Sequence, residues 1–414
     1  MLYENQSISF VMKILYFHQY FCTPNGTGGV RSYEFARRWV AQGHDVTIIT
    51  SSGFDETLVP GQTYDIEGID VRVIGGAYRP TMGFARRLWS YLAYAVQSSL
   101  IALRSGKYDL ILATSTPLTI AVPAVIAKIV GRRSMLFEVR DVWPDAAVDA
   151  GVLKKGVLYQ LAKVLEATVY RISDHIVALS DGMAGRIISK GVSQDKISML
   201  PNCSDVESFS PEKFDRPALR RQYGAGEDLV LLYVGAINTA NDMPFLWDCI
   251  SALKEKHNIK WWFVGGGNQL SYLQEQVQNC QIENVKFWGK RPKAEIPNFV
   301  NSADVGIVSF INKPVYFENS PNKFFDYIAG GLPPIFTRTT WLKPYLERFD
   351  ADLICENNTV DEFVSIVKRL LENNDYRRDL GERVLELSKY QFSRDSVSVR
   401  YLTLLESIAG TKHE

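Results

Sequence analysis

One short segment in the second half of the chain combines groups suited to binding a hydroxylated, phosphorylated ligand. Glu318 and Asp326 lie eight residues apart, and Lys323 stands between them in the run ENSPNKFFDY. A carboxylate can accept paired hydrogen bonds from vicinal sugar hydroxyls, and Lys323 could neutralise a diphosphate leaving group. Pro321 favours a helix start here, which would add backbone donors for phosphate. The alternative is a capped surface helix with solvated charges.

Glycine-rich turns follow several apolar runs and could let phosphate approach the backbone. Gly28 and Gly29 come after the first run, Gly235 and Asn238 after the first run of the second half, and GGG (265–267) after the next. Glycine removes the Cβ from such a turn, and a following helix N-terminus favours negative charge. None of the turns has the GxGxxG spacing, so glycines that merely allow tight turns remain the alternative.

The elements that must position these residues are short apolar runs alternating with helical patterns. Strands are predicted at 12–17, 44–50, 71–74, 108–114, 134–139 and 175–180, then at 229–236, 259–267, 285–289, 304–310, 332–337 and 351–355. Strands separated by helices imply parallel pairing. Open parallel sheets bind ligands beyond the carboxyl ends of their strands. The sequence therefore predicts two Rossmann-like, doubly wound α/β domains facing a central cleft.

The domain limits follow from composition. Residues 200–214 are rich in Pro, Asn, Asp and Ser, as linkers are. We expect one domain at 1–205, a second at 206–390, and a C-terminal helix at 391–414 that crosses back to the first. A chain of 414 residues is too long for one hydrophobic core.

Composition excludes several classes of function. Lys plus Arg and Asp plus Glu both number 46, so the chain lacks the positive surplus that nucleic-acid binding requires. Five scattered cysteines without a CxxC pair favour a reducing compartment and argue against structural metal. Residues 1–11 do not resemble a signal peptide, and no run is long enough to cross a bilayer. We expect a cytoplasmic protein, free or peripheral on the inner face of the membrane.

Taken together, three motifs resemble family-4 retaining glycosyltransferases of the GT-B fold. They are the Glu-x7-acid signature within PNKFFDYIAGGLPPI, the opening QYFCTPNGTGGVRSYEFARRWVAQGHDVTIITS, and EVRDVWPDAAVDAG (138–151). The last two are similar to the subgroup that resembles L-fucosamine transferases. The resemblance spans nearly the whole chain and implies sugar transfer from a nucleoside diphosphate without metal or other cofactor.

The resemblance also implies roles for matching positions. Glu318 would contact the donor sugar, and Asp326, where the family usually has Glu, would bind the ribose hydroxyls with one methylene less reach. The other expected nucleotide-sugar contacts are Gly28, Gly29, Gly235, Asn238, Lys290, Arg291, Ser320 and Asn322, with Lys290 and Arg291 near the base.

The loop GAINTANDM departs from the family because it lacks the usual Arg and Lys. Lys323, the third catalytic candidate beside Glu318 and Asp141, and Arg31 would then supply more of the phosphate-binding charge, or the helix dipoles would carry it. Asp141 would orient or activate the acceptor, supported by Arg140 and Glu138. A salt bridge or a helix cap before Pro144 is the alternative for Asp141. Arg31, Arg140 and His18 are the acceptor-side candidates, and His18 is the weaker one because a lone His after a buried strand is more often a hydrogen-bonded structural residue.

The region Tyr78–Lys107 mixes basic and aromatic residues: Arg79, Arg86, Arg87, Arg104, Lys107, Phe84, Trp89, Tyr91 and Tyr94. Such a mixture suits an anionic membrane surface, although two core helices with solvated ends would look the same. On the membrane interpretation the acceptor is a polyprenyl-diphosphate-linked saccharide in polysaccharide or O-antigen synthesis, and the subgroup favours a UDP-linked N-acetylated amino sugar. A nucleotide-sugar epimerase of the same fold and a non-catalytic nucleotide- or glycan-binding homologue are the rival hypotheses.

Overall fold

The computed structural model describes residues 11–26, 28–78, 82–149, 151 and 153–410. Arg79, one of the basic residues singled out above, lies outside this part of the chain. The described residues form two compact units. The first comprises those up to Ala178 with Ala184–Leu200 and those from Ser398 on, and the second comprises Leu179–Met183 and Pro201–Val397.

The first unit is built on an eight-stranded sheet. Its strands are β1 (Lys13–Phe17), β2 (Asp45–Ser51), β3 (Thr63–Ile66), β4 (Ile69–Ile74), β5 (Leu110–Thr114), β6 (Ser134–Val139), β7 (His175–Ala178) and β8 (Ile197–Met199). They lie in the order β3-β4-β2-β1-β5-β6-β7-β8, all parallel except the antiparallel pair β3–β4. The central strands are buried along nearly their whole length, because helices cover both faces of a parallel sheet.

The second unit contains a five-stranded parallel sheet. Its strands are β9 (Leu229–Ala236), β10 (Ile259–Gly266), β11 (Val285–Gly289), β12 (Val305–Val308) and β13 (Pro334–Phe336). Their order is β11-β10-β9-β12-β13. The chain therefore winds outward in opposite directions from β9 and β12. Such a switch point is where open α/β sheets bind ligands.

Seventeen α-helices occur in the described residues. They are α1 (Arg31–Ala41), α2 (Phe84–Ala102), α3 (Ala121–Gly131), α4 (Asp145–Asp149), α5 (Val157–Ile172), α6 (Asp181–Ile188), α7 (Val206–Phe209), α8 (Arg216–Tyr223), α9 (Met243–Ala252), α10 (Leu270–Asn279), α11 (Ile296–Ser302), α12 (Pro314–Phe317), α13 (Asn322–Ala329), α14 (Lys343–Arg348), α15 (Val360–Glu372), α16 (Asn374–Leu387) and α17 (Arg394–Gly410). Tyr401 of α17 packs edge-on against Phe35 and Trp39 of α1, within the first unit.

The prediction of two doubly wound α/β folds is confirmed, with three differences in the strands. The predicted strand at 351–355 is wrong: only Ile354 forms an isolated bridge, to Phe336. Phe336 N–H donates to Leu353 O at 2.9 Å and Phe336 O accepts from Cys355 N–H at 2.8 Å, which makes one bridge and not a strand. An apolar pattern cannot distinguish a buried run with a single bridge from a fully paired strand. The sequence analysis also missed β3 and β8. Both are half-exposed edge strands without a continuous apolar run.

Candidate functional site

Helix α13 places the Glu-x7-acid segment against the switch point of the second sheet. Tyr327 anchors it: its hydroxyl accepts a hydrogen bond from Val234 N–H at 2.8 Å and donates to Leu232 O at 3.1 Å. The ring occupies the space that a side chain would take at Gly306 of β12, since a Cβ there would overlap it. One tyrosine thus contacts both strands that flank the switch point and fixes the helix one turn beyond Lys323.

Lys323 directs its ammonium group at the end of β9. The residue is half-buried, but its Nζ is buried and has no hydrogen-bond partner among the described residues. It lies 3.7 Å from the centre of the Tyr233 ring, and a Cβ on Gly235 would come within 3.6 Å of it. Burial lowers its pKa to about 7. A buried ammonium that lies against an aromatic face, without a hydrogen-bond partner in the described part of the chain, is a ready partner for an anion.

The glycine turns of the second unit stack on each other. A Cβ on Gly265 would overlap Gly235 O, and one on Gly267 would overlap Ile237 O. Gly235 and Gly265 also have φ values of +125° and +149°, which other residues rarely adopt. Close packing of two strand ends therefore accounts for Gly265 and Gly267. Asn238 follows β9, where its side-chain oxygen accepts a hydrogen bond from Asn241 at 2.7 Å.

Glu318 is held by a segment that the sequence analysis did not single out. Ser180 Oγ donates to the Glu318 carbonyl at 2.6 Å, and Ser180 Oγ itself accepts from Met183 N–H at 3.1 Å. A Cβ on Gly182 would overlap Glu318 Cγ, so the glutamate side chain lies directly on the Gly182 backbone. All four residues belong to the second unit.

The loop between Glu318 and Lys323 is tied to the linker. Asn202 donates through its amide side chain to Ser320 O at 2.6 Å and through its backbone N–H to Ser320 Oγ at 3.2 Å. Ser320 is buried, whereas Asn322, the first residue of α13, is exposed. No side chain caps the start of α13 among the described residues. Phe324 N–H already donates to Pro321 O at 3.1 Å, so the backbone N–H groups at this end that could meet a phosphate are those of Asn322 and Lys323.

Asp326 is buried and forms an ion pair with Lys293. The sequence analysis did not identify this partner. Lys290 and Arg291 are exposed in the loop after β11. The Lys290 side chain lies over Gly266, while Arg291 donates to Trp288 O at 3.1 Å and pairs with Glu295 at 3.6 Å.

In the first unit, Gly28 and Gly29 follow β1, which with β5 flanks that sheet's switch point. A Cβ on Gly28 would lie 3.0 Å from Phe54 and 3.1 Å from Cys22, so the loop is packed tightly on its neighbours. Gly28 N–H points at Cys22 Sγ at 3.3 Å. A side chain at position 28 would fit only if Phe54 or Cys22 shifted by a few tenths of an ångström, so tight packing alone favours glycine there.

Asp141 follows β6 and accepts a hydrogen bond from Thr116 Oγ1 at 2.9 Å. Burial raises the pKa of its carboxyl, and the Thr116 hydroxyl and the nearby Arg140 charge partly offset that rise. The backbone N–H of Arg140 donates to Ser115 Oγ at 3.1 Å. Asp141 thus faces the loop after β5 and not a basic side chain within salt-bridge distance in the described residues.

Arg31 and His18 occupy interior positions. Arg31 pairs with Glu138 through two nitrogens, at 2.9 and 3.0 Å, and donates to Leu200 O at 3.0 Å. Glu138 therefore supports Arg31 and not, as predicted, Asp141. His18 is buried, with Nδ1 2.6 Å from Ser32 Oγ, and burial together with the Arg140 charge lowers its pKa well below the usual value. These contacts give both residues a structural role.

The part of the chain that the structure describes holds neither a membrane-spanning helix nor a cluster of metal ligands. No helix there is long and apolar enough to cross a bilayer. No three His, Cys, Asp or Glu side chains there come close enough together to hold a metal ion.

The positioning residues Ser180, Gly182, Asn202 and Lys293 were missed at the sequence level. Ser180 and Gly182 follow a predicted strand, so the rule that loops after parallel strands carry function could have drawn attention to them. Lys293 likewise follows the predicted strand at 285–289 by four residues, beside Lys290 and Arg291. Asn202 had no such signal, since it lies in the predicted linker.

Known families match both halves of the chain. Residues 26–203 match the Glycosyl transferase 4-like domain and residues 215–386 the Glycosyl transferases group 1 family. The chain is 25% identical over 387 residues to WcaI of Escherichia coli K12, named for colanic acid biosynthesis, covering 88% of this chain and 94% of the relative. It is 22% identical to the lipopolysaccharide core biosynthesis glycosyltransferase LpsE of Rhizobium meliloti, covering 58% of this chain and 66% of that one.

Solved structures share the fold at low sequence identity. Anabaena HepE in complex with UDP superposes with a TM-score of 0.73 at 17% identity, covering 96% of this chain and all of that one. Sucrose-phosphate synthase from Thermosynechococcus elongatus gives 0.76 at 14% identity, covering 97% and 100%.

Proposed function

This chain belongs to the glycosyltransferases that join a glycosyl transferase 4-like domain to a group 1 domain, and from that premise we propose the reaction that it catalyses. It transfers a sugar from a nucleoside-diphosphate donor to a saccharide acceptor with retention of the anomeric configuration. The donor is UDP-linked and its sugar is an N-acetylated amino sugar.

The observation that carries the proposal is the buried, unpartnered Lys323 ammonium at the switch point between β9 and β12. A diphosphate there would receive the lysine charge and the open N–H groups of α13. Glu318 lies in the same segment, five residues before Lys323, and would accept hydrogen bonds from the donor sugar's hydroxyls. An epimerase or a degenerate binding protein could share the nucleotide site, but both relatives described above carry the name of a glycosyltransferase.

The reaction needs no protein nucleophile. The bond from the anomeric carbon to the diphosphate oxygen breaks, and the acceptor oxygen bonds to the same face of the sugar while its proton goes to the departing diphosphate. Lys323 and the α13 amides stabilise the charge that develops on the diphosphate. The Asp141 carboxylate accepts a hydrogen bond from the attacking hydroxyl of the saccharide and so orients it. No metal takes part.

The donor and acceptor assignments rest on similarity. HepE, which shares the fold, was crystallised with UDP, with UDP and glucose, and with UDP-glucose. The amino sugar follows from the resemblance to L-fucosamine transferases. Relatives named for colanic acid, teichuronic acid and lipopolysaccharide core synthesis favour polysaccharide assembly. We therefore propose a polyprenyl-diphosphate-linked saccharide of O-antigen type as the acceptor, which the enzyme binds at the cytoplasmic face of the membrane.

Calorimetric titration with UDP, GDP and ADP, first in EDTA and then with magnesium, tests the donor site. We expect UDP to bind in EDTA and Lys323→Met to weaken that binding. No binding of any diphosphate would reject the site. Incubating UDP-sugar with and without acceptor then separates the alternatives. An epimerase would isomerise the donor alone, and a binding protein would bind UDP without transfer or slow donor hydrolysis. Glu318→Gln should abolish transfer and keep UDP binding.

A further inference from the structure

The exposed apolar side chains of this protein are concentrated on three helices. Of the seventeen large hydrophobic side chains that are exposed in the described residues, eleven lie on α2, α3 and α5, and a twelfth, Leu103, directly follows α2. Scattered single residues of this kind are normal, but a contiguous group marks an interaction surface. The surface formed by these three helices is called the apolar face below.

The side chains form stripes along the helices. On α2, Trp89, Leu92, Val96 and Leu100 recur at intervals of three and four residues, and Trp89 and Val96 are 73% and 63% exposed. That spacing places them along one side of the helix. On α5, the exposed residues from Val157 to Val164 do the same. An amphipathic helix that turns its apolar stripe to water lacks its partner.

The three helices lie on the same side of the first sheet. Each belongs to a crossover that moves along the strand order in one direction, β4 to β5, β5 to β6 and β6 to β7, and right-handed crossovers in one direction place their helices on one face. In agreement, α2 packs against α3, and α3 packs against α5. The stripes therefore join into one continuous surface.

The charge around this surface is one-sided, although the chain as a whole is neutral. Residues 82–107, 118–133 and 153–172 contain eleven Lys and Arg and a single acid, Glu166. Glu166 is buried and paired with Lys163 and Lys190, and Asp174, just after α5, is paired with Lys128. The basic side chains that stay exposed include Arg104, Lys107 and Arg132. Lys154 and Lys155, just before α5, are both exposed.

A groove of about 500 Å³ adjoins the face at the first turns of α2. It is lined mainly by small and apolar residues, with Arg86 and Trp89 among them. Gly76 and Ala77 of its wall follow β4, so the groove lies at the carboxyl edge of the sheet. The apolar face thus extends to the edge at which the candidate residue Asp141 also lies.

We propose that the apolar face docks the first unit on an anionic lipid surface, with its apolar stripes in the headgroup region and its lysines and arginines on the lipid phosphates. Apolar anchors surrounded by basic side chains fit that partner. A second copy fits it less well, because a two-fold contact would set the same basic residues against each other. The sequence predicted a membrane contact at Tyr78–Lys107, and the apolar face extends that contact to α3 and α5. The proposal deepens the proposed function, and it rests on that function for the identity of the lipid-linked acceptor.

Vesicle co-sedimentation of the full chain tests the proposal, with phosphatidylcholine vesicles and with vesicles that also contain phosphatidylglycerol. We expect binding to the mixed vesicles, weakened by salt. The double variants Val96→Glu/Leu100→Glu and Lys154→Glu/Lys155→Glu should each lower that binding about tenfold or more. Tyr390→Glu and Lys254→Glu/Lys256→Glu change equally exposed residues of the second unit and should bind like wild type.

Equal binding of wild type and both face variants, or no binding of wild type to anionic vesicles, would overturn the proposal. The proposal would also be overturned if sedimentation velocity showed a wild-type dimer that becomes a monomer in Val96→Glu/Leu100→Glu. In that case the apolar face would bind a second copy of the chain. UDP titration of the same proteins distinguishes failure of the lipid-binding proposal from failure of the proposed function. Vesicle binding without UDP binding would reject the donor site but support the lipid-binding surface. UDP binding without vesicle binding would support the donor site but reject the lipid-binding surface.

Discussion

The side chain of Glu318 rests on the backbone of Gly182, so closely that a Cβ on that glycine would overlap Glu318 Cγ. Ser180, two residues earlier, donates its hydroxyl hydrogen to the Glu318 carbonyl. The loop after β7 therefore sets the position of the residue that we expect to hold the donor sugar. Gly182 lies in α6 without a positive φ, so space and not backbone conformation requires glycine there.

Gly182→Ala should displace Glu318 and lower kcat/KM by roughly a hundredfold, because misplacing a substrate-positioning group by about 1 Å costs that much. Gly185→Ala in the same helix is the matched control, since a Cβ at Gly185 meets nothing within 4 Å. Steady-state kinetics on both variants, with UDP affinity measured alongside, checks the prediction. Similar kinetics for the two variants would contradict it.

Nucleotide binding should be coupled to proton uptake by Lys323. With a pKa of about 7, roughly one Lys323 in ten is charged at pH 8 in the free protein, whereas a bound diphosphate would hold it charged. Titrations with UDP at pH 8 in buffers of different ionisation enthalpy should therefore show uptake approaching about one proton. Lys323→Met should abolish that uptake. An equal uptake in the variant would assign the proton to another group.

The same lysine should destabilise the unliganded protein at neutral pH. Its folded pKa lies below the unfolded value of 10.5, so the unfolded state binds more protons between about pH 7 and 10.5, and the Lys323 contribution makes stability rise with pH in that window. Lys323→Met should raise the free energy of unfolding by roughly 1–3 kcal/mol at pH 7 and less at pH 10. Denaturant unfolding of both proteins at the two pH values measures the difference, and a gain that is the same at both would refute the mechanism.

Arg31 should be needed for folding before it is needed for catalysis. Arg31→Ala leaves Glu138 buried without its partner and should lower stability by about 3–5 kcal/mol. The double variant Arg31→Met/Glu138→Gln removes both charges and should recover much of that loss. Thermal unfolding of the three proteins decides the matter. A stable Arg31→Ala protein with weakened acceptor use would instead restore the acceptor-side role.

Asp141 should set the acid limb of the pH–rate profile. Burial raises the pKa of its carboxyl above the usual 3.8, and the hydrogen bond from Thr116 limits that rise. The rate should therefore fall as the pH is lowered through this raised pKa, because the neutral acid accepts a hydrogen bond from the attacking hydroxyl much more weakly than the carboxylate does. Thr116→Val should move the acid limb to higher pH. An unmoved limb, or full activity in Asp141→Asn, would remove Asp141 from the mechanism.

Much of the architecture could be predicted from local pattern. Apolar runs such as Lys13–Phe17 and Leu229–Ala236 end in turn residues and alternate with helices, which is sufficient to predict parallel sheets. The pattern failed where a buried apolar run forms only one bridge, as at 351–355, and where strands are half exposed, as in β3. In both cases burial and pairing do not coincide, and periodicity reports only burial.

The sequence by itself determined the family and the two doubly wound units, and it predicted the segment from Glu318 to Asp326 as the place of the donor chemistry, because residue type, spacing and apolar period are local properties of the chain. Only the tertiary structure decided which of these groups are available. In the folded chain the Lys323 ammonium is buried over the Tyr233 ring, and Glu318 packs on the backbone of Gly182. Asp326 forms an ion pair with Lys293, and Arg31 forms one with Glu138. Except for Asp326 with Lys293, each of these pairs is separated by at least ninety positions in the chain. The partner and pKa of a charged group depend on neighbours that folding brings together, and the spacing of residues along a sequence does not encode them.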